Sequence, residues 1–274
     1  MARNASGPVD ANAADARLDV RGVRKSFGSV AAIKQVSFTI NAREVVGLIG
    51  DNGAGKSTLV KIIAGVHQPD AGEIFLNGEA VDHQSPDVAR RRGVETVFQD
   101  LALVDIFDVS ENMFLGRELS FGGVLGRFRF LRNRKMKAEA LSAVQEMGIK
   151  IPGIASARIA DLSGGQRQAV AIARAVFWRS RLLLLDEPTA ALGVAETNEV
   201  EMLVKRVKDA GEVATLIVSH DMPQVARMAD KVVVMRQGRH VATLHGPGLD
   251  PNELVGYVTG ATAPQTDLVD RVQA

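Results

Sequence analysis

The chain has 274 residues, and its 33 Lys and Arg balance 32 Asp and Glu, which leaves no global basic field and points to no nucleic-acid partner. At 46% hydrophobic and 24% charged it has the make-up of a globular protein with a sizeable core. The absence of cysteine excludes disulfides and thiolate metal sites and fits a reducing compartment, and no apolar run approaches the ~18 residues of a membrane span.

The first residues, MARNASGPVDANAADA (1–16), are small and polar with no apolar stretch, and they read as a disordered leader, not a signal peptide. LDVRGVRK, VSFTI and VVGLIG then read as strands, and KSTLVKIIAG as a helix opened by a glycine turn. EIFLNGEAV predicts a hairpin, because Asn77-Gly78 supplies the two positive-φ positions of a tight turn. VETVF, LLLLD, VATLIVSH and KVVVM predict further strands. The unalternating LLLLD suits a parallel strand covered on both faces.

Helical periodicity takes over between Gln99 and Leu162, so a helical subdomain over about 100–162 is predicted as an insertion into an α/β core. Within it, GRFRFLRNRKMK (Gly126 to Lys137) interleaves arginine and phenylalanine. It reads either as a contact for a polyanion or anionic membrane surface, or as a solvated loop with Phe128 and Phe130 packed beneath the subdomain. The near-zero net charge favours the loop. The tail from 261 to 274 carries no motif beyond a helical LVDRV turn, and Trp178 and Tyr257 read as core or edge residues.

Chemistry enters at VVGLIGDNGAGKSTLVKII. This strand–turn–helix contains G-x-x-x-x-G-K-S from Gly50 to Ser57, with Asp51, Asn52 and Ala54 inside it and Thr58 after it. Gly50, Gly53 and Gly55 let successive N–H groups converge on phosphate oxygens. Lys56 adds a charge at the β/γ-phosphates, and the Ser57 hydroxyl suits Mg²⁺. A nucleoside triphosphate site follows.

At RLLLLDEPTAAL the pair Asp186-Glu187 ends a strand, where α/β sheets bind ligands. Asp186 is placed to hold Mg²⁺ through water and Glu187 to polarise an attacking water, although Glu187 as a cap of the next turn remains open. No N-K-x-D occurs to read guanine, which favours ATP, and Phe27 in KSFGS offers a platform for adenine or else an ordinary core contact.

A second small-residue turn, DLSGGQRQAVAIA, precedes a strong helix pattern, and bare N–H groups at such a turn face an anion. GDNGAGKST, FQD (Phe98 to Asp100), LSGGQRQ (Leu162 to Gln168), LLLLDEPT and VSHD (Val218 to Asp221) together resemble the ATP-binding cassette (ABC) ATPases, over about Leu18 to His245. The resemblance implies an α/β P-loop NTPase domain over 17–260, with an inserted helical subdomain and an antiparallel β subdomain.

It also implies a reason for two grips. Two copies meet head to tail, and Ser163, Gly164, Gly165 and Gln166 of one hold the ATP lying on the P-loop of the other. By the same likeness Gln99 senses the γ-phosphate and Mg²⁺, and His220 contacts the γ-phosphate and orients the water. Ala190-Ala191-Leu192-Gly193 departs from the Ser-Ala-Leu-Asp of many members, which puts that loop's communication across the dimer in doubt.

Within the superfamily, GDNGAGKSTLVKIIAGVHQPDAGEI, ENMFLGRE and DEPTAALGVAET resemble ATPase subunits of bacterial monosaccharide importers of the fructose or ribose kind. That likeness implies a single-cassette homodimer on two transmembrane permease subunits, at the cytoplasmic face of the plasma membrane. An extracytoplasmic sugar-binding protein would deliver the substrate. The competing expectations are a transporter ATPase for another solute, or a soluble member acting on DNA or ribosomes.

Overall fold

The computed structural model describes residues 16–81, 85–121, 131–154, 157–211, 213–246 and 248–265. Of the leader expected over 1–16, Ala16 is instead the buried first residue of a strand; the rest of it, Phe128 and Phe130, and the LVDRV turn lie outside the described residues.

Ten strands follow the spatial order β5-β4-β1-β2-β10-β9-β3-β8-β7-β6. One half is antiparallel: β1 (Ala16–Phe27) lies between β2 (Val30–Asn41) and β4 (Ala71–Leu76), and β4 carries the short β5 (Glu79–Ala80). Asn77 (φ 51°) and Gly78 (φ 79°) make the expected turn between β4 and β5. The other half is mostly parallel. β3 (Val45–Gly50) lies between β8 (Ala214–Val218) and β9 (Lys231–Arg236), and β7 (Leu182–Asp186) between β8 and β6 (Val94–Val97). The halves meet at a single register pair, Gln35 with Arg239.

Alternate leucines of β7 serve two cores, as a run without polar breaks requires. Leu182 and Leu184 pack with α1 (Lys56–Ile63) and the antiparallel half, whereas Leu183 and Leu185 pack against α5 (Gly164–Phe177) and α6 (Val194–Ala210). A third core fills the helical insertion, where Met113 and Phe114 of α3 (Val109–Phe114) meet Val144 of α4 (Asn133–Glu146). Helix α5 belongs to both neighbours, since Ile172 faces the sheet core while Val170 and Ala173 face the helical core. The short α2 (Pro86–Arg91) precedes β6. Helices α7 (Met222–Met228) and α8 (Pro251–Thr259) cover the outer face of β9. No helix among the described residues is long and apolar enough to cross a membrane.

Two features correct the sequence reading. Asn133 to Lys137 is not loop but the first turn of α4, whose buried Met136, Ala140 and Ala143 recur at helical spacing. Lys137 pairs with Asp108 at 3.0 Å. In addition β10 (Arg239–His245) follows β9 through a tight turn at Gln237 (φ 50°) and Gly238 (φ 78°). Its Gln-Gly dipeptide is a weaker hairpin signal than Asn-Gly. The tail's first residues are tied to that strand, with Gln265 exchanging side-chain hydrogen bonds with the Thr243 backbone at 2.8 and 3.0 Å.

Candidate functional site

The parallel strands all finish at one edge. Val218 registers with both Leu48 and Asp186, and Val97 with Leu185. Connections leaving β3, β7, β8 and β6 therefore bring Gly50–Ser57, Asp186–Glu187, His220 and Gln99 to the same rim, where open α/β sheets place their ligands.

The turn after β3 is shaped by close backbone approach. A Cβ on Gly50 would fall 2.2 Å from the Met235 carbonyl oxygen, and one on Gly55 2.5 Å from that of Ala32. Gly55 also adopts φ 100° as the residue before α1, and no side chain caps the first turn of that helix. Asp51, Asn52, Gly53 and Ser57 are exposed, Ala54 is buried, and Thr58 is half-buried. Lys56 is only 8% exposed. Its Nζ folds back to donate to the Gly50 and Asp51 carbonyls at 2.7 and 3.1 Å. Burial lowers its pKa, opposed by the charges of Glu187, Asp51 and Asp186. A desolvated ammonium beside an uncapped helix N-terminus suits a polyanion.

Across the rim, burial raises the Asp186 carboxyl, and the Glu187 charge pushes it the same way. Such a carboxylate gains from a cation. With the Ser57 hydroxyl it makes a hard-oxygen donor set of the kind Mg²⁺ takes, leaving room for water and phosphate ligands. Glu187 sits at φ 53°, a left-handed conformation rare for a side-chain-bearing residue, and its N–H donates to the Val218 carbonyl at 2.9 Å. That conformation brings Glu187 Oε2 to 2.8 Å from Nδ1 of His220, whose side chain is 70% exposed. A carboxylate paired with a half-open imidazole can accept and relay a proton.

The two loops carrying this pair are tied from beneath. Fully buried Gln224 accepts through Oε1 from the Thr189 hydroxyl (2.8 Å) and the Ser219 hydroxyl (3.3 Å). Its Nε2 has no hydrogen-bond partner among the described residues.

Gln99 is exposed, two residues past β6. The chain then passes through Leu101 (φ 57°) and Ala102 (φ 48°), two successive left-handed residues. Arg174 of α5 forks onto both carbonyls, at 2.9 Å to Leu101 and 2.8 Å to Ala102. Phe27, 45% exposed at the end of β1, stands edge-on to His67 with ring centroids 5.2 Å apart.

The second small-residue turn caps α5. Ser163 Oγ accepts from Gln166 N–H at 3.3 Å, and Gln166 Oε1 accepts from Ser163 N–H at 3.0 Å. Among the described residues no hydrogen bond or ion pair joins this tip to the P-loop. The structure thus gathers Lys56, Asp186, Glu187 and His220 through mutual charge and contact, while Ser163 to Gln166 stand apart.

The sequence model of the family described as ABC transporter matches residues 33–190, more than half of the chain. The chain belongs to the ABC transporter family. This ABC ATPase is 39% identical over 253 residues to the fructose import ATP-binding protein FrcA of Rhizobium meliloti, across 92% of this chain and 97% of that one. To the xylose/arabinose import ATP-binding protein XylG of Sulfolobus acidocaldarius it is 45% identical over 222 residues, 81% and 85% of the two chains. Among solved structures it is similar to an ATP-binding cassette seen as a dimer in a post-hydrolysis state with ADP and phosphate. That likeness has 25% identity and a TM-score of 0.68, over 85% of this chain and all of that one.

Reading the ABC motifs alone misses Arg174 and Gln224, whose contacts with Leu101, Ala102 and Thr189 are distant in sequence and leave no local pattern to mark them.

Proposed function

We propose that this ABC ATPase is the energy-coupling subunit of a monosaccharide importer. One observation carries the reading: the chain spans nearly the whole of a fructose import ATP-binding protein.

In this reading Gly50, Asp51, Asn52, Gly53, Ala54, Gly55, Ser57 and Thr58 wrap the triphosphate. Lys56 leaves the Gly50 and Asp51 carbonyls for β- and γ-phosphate oxygens. Phe27 stacks on the adenine. Ser57, Gln99 and, through water, Asp186 hold Mg²⁺, which when bound neutralises charge on the β- and γ-phosphates. Glu187 takes a proton from the water whose oxygen attacks the γ-phosphorus, and the phosphoryl bond to ADP breaks. His220 fixes the Glu187 carboxylate by their 2.8 Å contact and reaches the γ-phosphate.

Ser163, Gly164, Gly165 and Gln166 of a second copy cover the same nucleotide, with the positive end of α5 toward the phosphate. Their separation from the chain's own P-loop supports a grip offered to a partner, as does the likeness to a cassette seen as a dimer. Closing and opening the homodimer drives two transmembrane subunits between inward- and outward-facing states. The 75% exposed Ile106, close in sequence to Gln99, and Leu115 on the helical insertion offer those subunits an apolar hold. The protein works peripherally at the cytoplasmic face, and an extracytoplasmic binding protein presents the sugar.

Purification of the tagged protein from detergent-solubilised membranes tests this, together with uptake of labelled pentoses and hexoses by a deletion strain. A very hydrophobic co-purifying chain and loss of uptake of one monosaccharide are expected. Recovery with ribosomes or DNA, and intact uptake of every sugar, would overturn it.

A further inference from the structure

One donor of the Ser163–Gln166 tip, the Gly165 amide, is already engaged inside its own subunit, by Glu196. This residue stands in the first turn of α6, just after the loop that leaves Glu187. Its Oε1 accepts from Gly165 N–H at 3.3 Å and its Oε2 from Gly193 N–H at 3.2 Å. Hydrogen bonding, from the Gly165 amide first, holds the Glu196 carboxyl below the usual carboxylate range.

Packing shows that the contact is built in. A Cβ on Gly165 would lie 2.9 Å from Glu196 Cβ, and one on Gly164 2.9 Å from Leu192 Cδ2. The tip's bare glycines are what allow α6 and its preceding loop to lie against it. Gly193 offers no side chain at this junction, and Glu196 supplies the carboxylate. The positive ends of α5 and α6 both converge on that one charge.

The Gly165 N–H has a single proton, and it is donated to Glu196. The same proton cannot also be given to a phosphate. Two anions brought to one set of donors, moreover, repel each other.

We infer that Glu196 is a positioning residue of the second grip. With no nucleotide facing the tip, its carboxylate holds the Gly165 amide in place and ties it to the Gly193 amide at the start of α6. The γ-phosphate of the partner copy's ATP takes over the Gly165 amide as Glu196 releases it. Glu196 thereby sets the ATP concentration at which two copies close, and it ties that closure to the loop following Glu187. This inference rests on the head-to-tail reading proposed above.

The test is an ATP titration of dimer formation, read by sedimentation. It compares the hydrolysis-deficient Glu187→Gln protein with the Glu187→Gln/Glu196→Gln double variant. Replacing the charge by an isosteric amide is expected to lower the ATP midpoint for dimerisation roughly three- to tenfold, the scale of one partly exposed charged hydrogen bond. Binding of a fluorescent ATP analogue to the isolated monomer's P-loop stays unchanged, which general structural damage would not allow. Glu196→Asp, which keeps the charge, should lie nearer the parent, and Glu196→Ala is the second uncharged variant if the amide fails to fold.

An unchanged or raised midpoint in a protein that does dimerise overturns the role of Glu196 and leaves the head-to-tail reading standing. If Glu187→Gln alone stays monomeric in saturating ATP, the head-to-tail reading fails, and this inference falls with it.

Discussion

Asp186 shows how a site residue costs stability at rest. Burial first, and the Glu187 charge second, hold its carboxyl above the ordinary range. A carboxyl raised on folding binds more protons in the native chain than in the unfolded one between the two pKa values. Stability therefore falls as pH rises through that window, and above it the ionised group is a net cost. Asp186→Asn should thus raise the melting temperature of the nucleotide-free protein at neutral pH by about 2 °C. Added Mg²⁺-ATP should then stabilise the variant less than the parent. A lowered melting temperature would show that the carboxylate supports the fold.

Lys56, Asp186 and Glu187 are legible in sequence because one strand and the turn after it fix their geometry within a few residues. Gln224 is not, since its bonds to Thr189 and Ser219 join the chain across 35 and 5 positions within a buried layer. Read alone, PQV after a histidine gives no sign of it.

Among the elements, α5 carries most of the organisation. One of its faces completes the sheet core and another the helical core, its first turn presents Ser163 to Gln166, and Arg174 pins the chain just after Gln99. Two successive left-handed residues cost of order 1–3 kcal/mol each unless their surroundings hold them. The guanidinium fork is what holds Leu101 and Ala102. Arg174→Ala should therefore speed amide hydrogen exchange over residues 99–104 by about tenfold or more, because local opening no longer breaks the two carbonyl contacts. Arg174→Lys should restore little, since an ammonium lacks the planar fork. Unaltered exchange in Arg174→Ala would show that the turn is held elsewhere.

At this scale the apolar runs were readable and their ends were less so. β10 escaped because RHVATLH mixes polar and charged residues into the strand, and α4 began earlier than its arginine-rich start implied. An isolated charged turn has no local reason to be helical. Burial of Met136 beneath Phe114 and Val144 supplies that reason only in the folded protein.

For the whole molecule, the strand order carries the P-loop, the acidic pair and His220 to one rim and sends the Ser163 tip elsewhere, on a helix shared with the insertion. Sequence order alone left that separation open, because the topology of β6, β7 and α5 decides it. On the head-to-tail reading proposed above, a subunit so arranged holds two half-sites, and two-fold pairing completes both at once.

Complementation between two defective variants tests this most directly. Lys56→Ala removes the P-loop charge and Ser163→Arg blocks the tip, so each protein alone should show almost no ATP turnover. In an equal mixture, half of the dimers join an intact P-loop from one copy to an intact tip from the other. Turnover should then rise to roughly a quarter of that of the unmodified protein. A mixture that never exceeds the sum of its two components would contradict a nucleotide shared between copies.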